Sequence, residues 1–431
     1  MSSMSISQVR LASLLTATTL LGATACVPPA PPIATYPSTV TTHVVANIPS
    51  VSFASTADVV GSSDSEIVVS AFGSPLTAPG TVTVYQRGAD LDTWTPIPVA
   101  TPADGIQYPN DSTIGDLNND GLADIVVSGG FFSCAFSGSP CGSLQWYEQG
   151  PASTFTRHNI VTPGYERFFH RALIHDVNGD GISDLVTVGE TGDSAITMWF
   201  EGTAQPGDNR FVHTPHIIGP GGGSLPVLAD VDGDGDTDVV SPQYFNWGNG
   251  VVWFEKIAAP SAMHPDGVWT IHNFNQGTIG KGFEVELVPN LQGDGIARWI
   301  GTNHINQNFD TTAESGLYRF EEGLTPADPR HETLLSTGVR ARPSGPQSLA
   351  PGPFGVGDVN HDGTPDVVMS GDGDDRLFVL TQDSPGVFTT YQLASAMGQA
   401  GGGEVTDLDH DGNSEALFTS YEAGVVKLYE F

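Results

Sequence analysis

The chain has 431 residues and carries 49 acidic against 15 basic side chains, a formal net charge of −34. A charge of that sign and size disfavours nucleic acid and anionic membrane surfaces as partners. Its 52 glycines and 31 prolines are typical of a turn-rich all-β protein, and its length is sufficient for one large core.

The N-terminus reads as a targeting segment. Arg10 precedes the apolar run LASLLTATTLLGATA, which is short for a membrane span and typical of a signal peptide. The end of the run, GATAC, also resembles a lipobox, in which Cys26 would be lipidated; ordinary cleavage after ATA is the alternative. We therefore predict a signal peptide over 1–25 and an extracytoplasmic protein, lipid-anchored at the outer membrane or cell surface, or otherwise secreted.

A proline-rich stretch follows Cys26. The sequence VPPAPPIATYPS is typical of an extended spacer that holds a domain off a membrane, and we assign residues 26–39 to it. The next stretch, THVVANIPS at 42–50, has the composition of a strand.

The loop at 116–124, DLNNDGLAD, is the first segment that indicates chemistry. Oxygen-bearing side chains stand at its first, third, fifth and ninth positions, and Gly121 permits a sharp turn between them. These oxygens can converge on one point, together with the seventh backbone carbonyl, and this donor set suits Ca²⁺. A single copy would be ambiguous, because clusters of Asp, Asn and Gly also form ordinary turns.

The loop recurs about every 58 residues, and repetition on this scale indicates a propeller or an array. Two of the seven copies are eroded: 290–298 has Arg298 at its ninth position, where a guanidinium can replace the cation, and 58–66 keeps only Asp58 and Glu66. Five copies are complete, so we expect about five structural Ca²⁺ ions. Their predicted ligands are Asp116, Asn118, Asp120, Leu122 and Asp124; Asp176, Asn178, Asp180, Ile182 and Asp184; Asp230, Asp232, Asp234, Asp236 and Asp238; Asp358, Asn360, Asp362, Thr364 and Asp366; and Asp407, Asp409, Asp411, Asn413 and Glu415.

Each period predicts four strands, two of which flank the loop. The third strand carries an aromatic residue in register, which we expect to pack between blades rather than to contact a ligand: Tyr147, Phe200, Phe254, Phe320 and Tyr429. The last period lacks a fourth strand, and we infer that the strand at 42–50 supplies it. The prediction is an all-β, seven-bladed β-propeller over 40–431, made of four-stranded antiparallel blades and closed by this N-terminal strand.

The loops and their spacing resemble the FG-GAP/VCBS repeat of integrin α-subunit propellers and many bacterial surface proteins, here of a bacterial lipoprotein type. The likeness runs from about residue 40 to the end and is specific in the five complete loops. An EF-hand would need a bidentate Glu at position twelve and flanking helices, whereas strands flank these loops. The resemblance implies a cell-surface propeller of the integrin type.

Three cysteines are present. If Cys26 is lipidated, Cys134 and Cys141 remain as a pair between two strands of one hairpin. An oxidising extracytoplasmic compartment permits a disulfide between them, and two free thiols are the alternative.

Catalytic motifs are poor: the chain has no G-x-S-x-G elbow, no H-E-x-x-H pair and no Walker loop, so we assign no catalytic residue. We expect function on the face opposite the calcium loops, where long loops combine aromatic, amide and rare basic side chains. Packing within those loops is the alternative role for each. The predicted ligand-binding residues are Tyr165, His170, Arg171, Tyr244, Trp247, Lys281 and His304.

Two classes of function remain. The first is a non-catalytic binding or adhesion module for a glycan or an extracellular protein, monomeric and in contact with membrane only through its lipid anchor. The alternative is a sugar-active enzyme, such as a polysaccharide lyase or a sugar dehydratase, with His170, Tyr165 or His304 as acid/base groups. We favour binding because no acid/base constellation can be read from the sequence.

Overall fold

The computed structural model describes the greater part of the chain from residue 33 onward. The described ranges are 33–61, 65–73, 79–130, 140–192, 194–244, 250–277, 279–304, 316–323, 325–336, 339, 352–371 and 375–431, with only the backbone described for His304. The predicted signal peptide, Cys26 and the first part of the predicted spacer lie outside these ranges.

The described residues form seven antiparallel four-stranded sheets, and one sheet carries a fifth strand. The first strands of neighbouring sheets contact one another, so they line the axis. Two strands precede the first complete blade: β1 (Ala34–Thr35) and β2 (Thr41–Asn47). Blades one to three consist of β3 (Val51–Ala57), β4 (Glu66–Ala71), β5 (Thr81–Arg87) and β6 (Trp94–Ala100); β7 (Pro109–Gly115), β8 (Asp124–Gly129), β9 (Gly142–Gly150) and β10 (Thr154–Tyr165); and β11 (Ala172–His175), β12 (Asp184–Glu190), β13 (Ala195–Phe200) and β14 (His216–Pro220).

The remaining four blades repeat this plan. They consist of β15 (Val227–Ala229), β16 (Asp238–Pro242), β17 (Val251–Ala258) and β18 (Val268–Asn273); β19 (Lys281–Val288), β20 (Arg298–His304), β21 (Leu317–Glu321) and β22 (His331–Leu334); β23 (Phe354–Gly357), β24 (Asp366–Ser370), β25 (Leu377–Ser384) and β26 (Val387–Ala394); and β27 (Ala400–Thr406), β28 (Glu415–Ser420) and β29 (Val425–Glu430). The helices are three short 3₁₀ turns, Pro102–Asp104, Pro151–Ser153 and Gly207–Arg210. No helix in the described ranges is long and apolar enough to span a membrane.

The second strands form the interior of the blades. In β4, β8, β12, β16, β24 and β28 every residue is buried. Neighbouring blades cover both faces of these strands, which explains why their sequences are continuous β-branched runs such as DIVVSG instead of alternating patterns.

The aromatic residues of the third strands pack between blades, as predicted. Each is at most 4% exposed and lies in a hydrophobic cluster with side chains of the preceding blade. The core is therefore a ring of inter-blade layers, and these residues are Tyr147, Phe200, Phe254, Phe320 and Tyr429.

The N-terminal strand closes the ring, and the prediction is confirmed. β2 pairs antiparallel with β29, from Thr41 opposite Glu430 to Asn47 opposite Val425. The seventh blade thus takes its first three strands from the end of the chain and its fourth from the beginning.

The residues just before β2 also contact the propeller, although they belong to the predicted spacer. β1 adds to the sixth blade, parallel to β26. Tyr36 is 8% exposed, and its ring packs edge-on against Tyr391 and Phe431, with centroid distances of 5.9 and 5.6 Å. Its hydroxyl donates to the carbonyl oxygen of Val359 at 3.5 Å. Tyr36 therefore joins the sixth and seventh blades at the seam of the ring.

We expect Tyr36→Ala to lower the free energy of unfolding by about 2–4 kcal/mol, because it removes a buried ring from this seam. Urea unfolding of the two proteins measures the difference. Tyr36→Phe is the control: it keeps the ring packing and loses one long hydrogen bond, which costs about 1 kcal/mol or less. Equal stability of Tyr36→Ala and wild type would contradict the prediction.

Candidate calcium loops and ligand face

The seven acidic loops lie on one face of the ring. Each connects the first strand of its blade to the second, as 116–124 connects β7 to β8. The connections from second to third strand, and from one blade to the next, therefore open on the opposite face. The prediction of a ligand face opposite the acidic loops depends on this topology.

The first carboxylate of each complete loop organises the backbone around it. Asp116 accepts hydrogen bonds from the amides of Asp120 and Gly121 at 3.1 and 2.9 Å. The same two contacts recur in 176–184, 358–366 and 407–415. Gly121 has φ +86°, and a Cβ there would meet no atom within 4 Å. The glycine is thus required by the left-handed backbone and not by lack of space.

The ninth residue of each loop has a different environment from the other ligands, because it is buried. Asp124 is 0% exposed and accepts amide hydrogens from Leu117 at 3.1 Å and from Gln149 at 2.8 Å. Equivalent pairs of bonds anchor the ninth residues Asp184, Asp238 and Asp366. The ninth residue therefore ties the second position of the loop to the third strand.

Burial of these carboxyls has an electrostatic consequence. It raises the pKa of Asp124 and of Glu415 to about 7, and that of Asp184, Asp238 and Asp366 to about 6. A nearby positive charge would favour their ionised form at neutral pH.

The donor atoms fit a hard divalent cation. Carboxylate oxygens of Asp230, Asp232 and Asp234 lie within 4.8 Å of one another, and those of Asp407, Asp409 and Glu415 do the same. Oε1 of Glu415 is buried without a hydrogen-bond partner. Several carboxylates at this spacing repel unless a cation lies among them, and all-oxygen donors are those that Ca²⁺ prefers.

The loop at 290–298 supports this interpretation because a protein cation takes part in it. The guanidinium of Arg298 donates to both carboxylate oxygens of Asp294, at 2.7 and 2.5 Å. It also donates to the carbonyl of Ile296 at 3.1 Å, the seventh-position oxygen that the other loops would offer to a metal. Hydrogen bonding to Arg298 lowers the pKa of Asp294 to about 2. The guanidinium of Arg298 therefore lies among the loop oxygens, as the sequence predicted, and that it replaces a cation stays a prediction.

Sequence reasoning missed a contact that links four of the loops to the next blade and a fifth loop to Tyr36. A side chain of the next blade donates to the carbonyl of the second loop residue. The pairs are Gln149 to Val59 at 2.7 Å, Arg210 to Leu117 at 2.7 Å, Lys256 to Val177 at 2.9 Å and Gln382 to Leu291 at 2.8 Å. Tyr36 makes the same contact to Val359. The available signal was the polar residue that follows the aromatic pair and Glu in WYEQ and WFEK.

On the opposite face, Arg171 occupies the axis. Its Nε lies 2.5 Å from Oδ2 of Asp111 in the second blade, and Nη2 lies 3.7 Å from Oε1 of Glu284 in the fifth. Glu286 and Glu404 act electrostatically on this group, and Glu404 also accepts the amide hydrogen of Thr56 at 2.8 Å.

Burial raises the pKa of Glu284 to about 7, although Arg171 opposes the rise. Burial also raises the pKa values of Glu286 and Glu404. These five side chains (Asp111, Arg171, Glu284, Glu286 and Glu404), which we call the axial cluster, combine one guanidinium with four carboxyls. Of its members only Arg171 was predicted from the sequence.

Other predicted ligand residues pack inside the loops. His170 is 7% exposed, with Nδ1 at 2.7 Å from Oε1 of Glu190. Tyr244 is 8% exposed; Phe283 lies edge-on to it, and Nζ of Lys281 lies 5.2 Å from its ring centre. Burial lowers the pKa of Lys281.

Tyr165 is half-buried and stacks on Phe169, with ring centroids 6.0 Å apart. For these aromatic and histidine side chains, the packing alternative describes the geometry better than an exposed binding surface.

Some predicted residues lie outside the described part of the chain. These are Trp247, Cys134, Cys26 and the side chain of His304. Cys141 is described: it is 4% exposed and disulfide-bonded. Its predicted partner, Cys134, is not among the described residues.

Comparisons with known proteins find a repeat family in two stretches of the chain. An FG-GAP-like repeat model matches residues 176–241 and 358–418. No curated protein matches the chain.

Similar solved structures include the exotype rhamnogalacturonan lyase YesX, at 15% identity and TM-score 0.44, covering 93% of this chain and 74% of that one. A Bacillus licheniformis rhamnogalacturonan lyase, PL11, is 14% identical with TM-score 0.41 and the same coverage. BBS1N in complex with ARL6DN is 10% identical with TM-score 0.46, covering 90% of this chain and 93% of that one. The fold assignment rests on the seven sheets, which show a seven-bladed β-propeller, and two stretches of this propeller match the FG-GAP-like repeat.

Proposed function

We propose that this protein is an extracytoplasmic binding propeller, with structural Ca²⁺ in five loops on one face and a ligand site at the axial mouth of the other. The calcium assignment is carried by one observation above all. In the single loop whose ninth residue is basic, Arg298 occupies the oxygen ligands that the complete loops would offer to a metal.

The calcium ions would stabilise the ring. The side chains at positions one, three, five and nine would hold each ion together with the seventh carbonyl, and the ion would offset their mutual repulsion. For a weak extracellular-type site with Kd of roughly 0.1 mM and about 1 mM Ca²⁺, each ion contributes about 1.4 kcal/mol. Five independent sites would contribute about 7 kcal/mol, comparable with the whole stability of many domains.

The axial cluster sets the chemistry of the proposed ligand site. Its carboxyls can accept hydrogen bonds from hydroxyl groups, and Arg171 can donate to ring or carbonyl oxygens. Four carboxyls against one guanidinium disfavour a polyanion, so a neutral glycan or a basic segment of an extracellular protein fits better. Arg171 is 22% exposed in its side chain, which leaves it accessible from the mouth.

The proposed location is extracytoplasmic, with a lipid anchor at Cys26. The disulfide at Cys141 supports an oxidising compartment. The signal-like N-terminus supports the same compartment.

The first prediction concerns calcium content. Protein dialysed against 1 mM Ca²⁺ should retain about five ions, with loop 290–298 empty because Arg298 takes the place of the ion. Metal analysis counts the ions, and a chelator should lower the melting temperature by roughly 10 °C or more. Fewer than three ions per chain, or melting that is indifferent to chelator, would refute the calcium assignment.

The second prediction compares two loops at their fifth position. Asp234→Ala removes a central ligand of the most acidic loop, so it should lower the melting temperature in calcium and have little effect in chelator. Asp294→Ala is the matched control, because Asp294 pairs with Arg298 and should contribute equally in both conditions. Calorimetry in calcium and in chelator gives the melting temperature of each variant, to be compared with that of wild type in the same buffer. A calcium-independent effect of Asp234→Ala would argue against an ion in that loop.

The third prediction concerns the ligand face. The calcium-loaded protein should bind neutral glycans on an array or basic proteins of the cell exterior. Arg171→Gln should weaken that binding by about 1–3 kcal/mol if Arg171 is a binding anchor. Arg157→Gln, on the outer strand of the second blade, is the control and should bind normally. Unchanged binding by Arg171→Gln would show that the axial cluster is not part of the ligand site.

The same experiment distinguishes the enzyme alternative. Any glycan that binds is incubated with the protein, and the products are analysed by mass spectrometry. Cleavage or dehydration of the glycan would favour the sugar-active enzyme, for which His170 and Glu190 form a buried candidate acid/base pair.

A further inference from the structure

A glutamate directly follows the third-strand aromatic residue in blades two to four. Glu148, Glu201 and Glu255 each follow a buried tryptophan by two residues, in WYE, WFE and WFE. Each tryptophan packs against a histidine of the fourth strand, with centroid distances of 4.7, 4.1 and 4.5 Å. Neither the nine-residue loop motif nor the aromatic register assigns a role to these glutamates.

In the second blade the glutamate bridges the loop and the histidine. Oε1 of Glu148 accepts a hydrogen bond from Nδ2 of Asn118 at 3.0 Å, and Oε2 lies 2.9 Å from Nε2 of His158. Because the amide nitrogen of Asn118 points at Glu148, its oxygen turns toward the loop, where it accepts from the amide of Asp120 at 3.0 Å. Nδ2 of Asn118 also donates to Oδ2 of Asp120 at 3.2 Å, so Glu148 and Asp120 together hold the orientation in which the oxygen of Asn118 faces the predicted cation.

The fourth blade repeats the arrangement with a carboxylate in the loop. Asp232 stands at the third position of the loop, and Glu255 occupies the strand position of Glu148, because Phe254 pairs with Val239 as Tyr147 pairs with Ile125. Oε2 of Glu255 lies 2.6 Å from Nε2 of His272. Glu255 thus adds a carboxyl beside the loop whose Asp230, Asp232 and Asp234 already converge.

The fifth blade provides an internal comparison. Glu321 follows Phe320 as Glu255 follows Phe254, and both phenylalanines pair with the residue after the ninth loop position. Here Arg298 takes part in the loop, and Glu321 pairs instead with Arg319 and with Thr333 at 3.1 Å. In this blade, where Arg298 occupies the predicted metal position, Glu321 contacts Arg319 on its own strand and Thr333 on the neighbouring strand.

We propose that Glu148 and Glu255 are positioning residues of the calcium sites in loops 116–124 and 230–238. This inference rests on the proposed calcium binding. Glu148 orients the third-position oxygen donor, and Glu255 increases the negative charge around its site. Partners that hold a metal ligand in orientation typically change metal affinity by about 10- to 100-fold when removed.

The experiment follows hydrogen exchange of each loop during a calcium titration of the full chain. Each peptide then reports the calcium concentration at which the amides of its own loop reach half of their maximal protection from exchange. Calcium alone is the probe. Glu148→Ala should raise that concentration for 116–124 about tenfold and leave 358–366 unchanged. Glu148→Gln keeps an acceptor for Asn118 and should shift it less than about threefold. Glu321→Ala, the register-matched control, should shift no loop.

Glu255→Ala tests the same role at loop 230–238. It keeps the proposal testable if Glu148→Ala fails to fold. It should raise the half-protecting concentration for 230–238 alone. The positioning role would be overturned if neither alanine variant changed the half-protecting calcium concentration. It would also be overturned if Glu148→Ala and Glu148→Gln raised that concentration equally. A wild-type chain whose loops gain no protection from calcium would instead overturn the calcium assignment itself.

Discussion

The buried carboxylate at the ninth position of every loop except 290–298 is the interaction on which the propeller repeat depends. Asp124, with 0% exposure, accepts one amide hydrogen from its own loop and one from β9. It is thereby both the last residue of a candidate metal-binding loop and a structural link from that loop to β9. Glu66 illustrates the second role alone: its loop has lost the central ligands, yet it remains buried and accepts the amides of Val59 and Val60. The anchoring role of the ninth residue therefore does not require the central ligands.

Contacts between blades convert these local loops into a ring. The carbonyl of the second loop residue accepts a donor from the next blade, and the donor varies from glutamine to lysine, arginine and tyrosine. Only the acceptor geometry is constant, because a backbone carbonyl accepts any of these donors. A cation that orders the loop would therefore also order the surface on which the next blade packs. The seam is completed by residues outside the repeats, β2 and Tyr36.

The two faces differ in what their charges can do. Oxygen atoms of the loops converge within single segments of nine residues, a geometry suited to ions. The axial cluster instead brings together residues from blades two, three, five and seven, at a scale suited to a larger ligand. Stabilisation and recognition can consequently change independently. The axial mouth keeps a basic group, Arg171, among its carboxyls.

The sequence by itself determined the repeat, the seven blades, the acidic loops and the closing strand, because each is encoded in short contiguous patterns. Arg298 was interpretable from its position for the same reason. Only the tertiary structure decided which residues meet across blades. Asp111 and Glu284 approach Arg171 through the closure of the ring, and no local spacing announces that contact. It also decided that His170 and Tyr244 are buried, since burial depends on the neighbouring loops. The strands follow from local residue patterns, whereas the axial cluster is made by distant segments that the ring brings together.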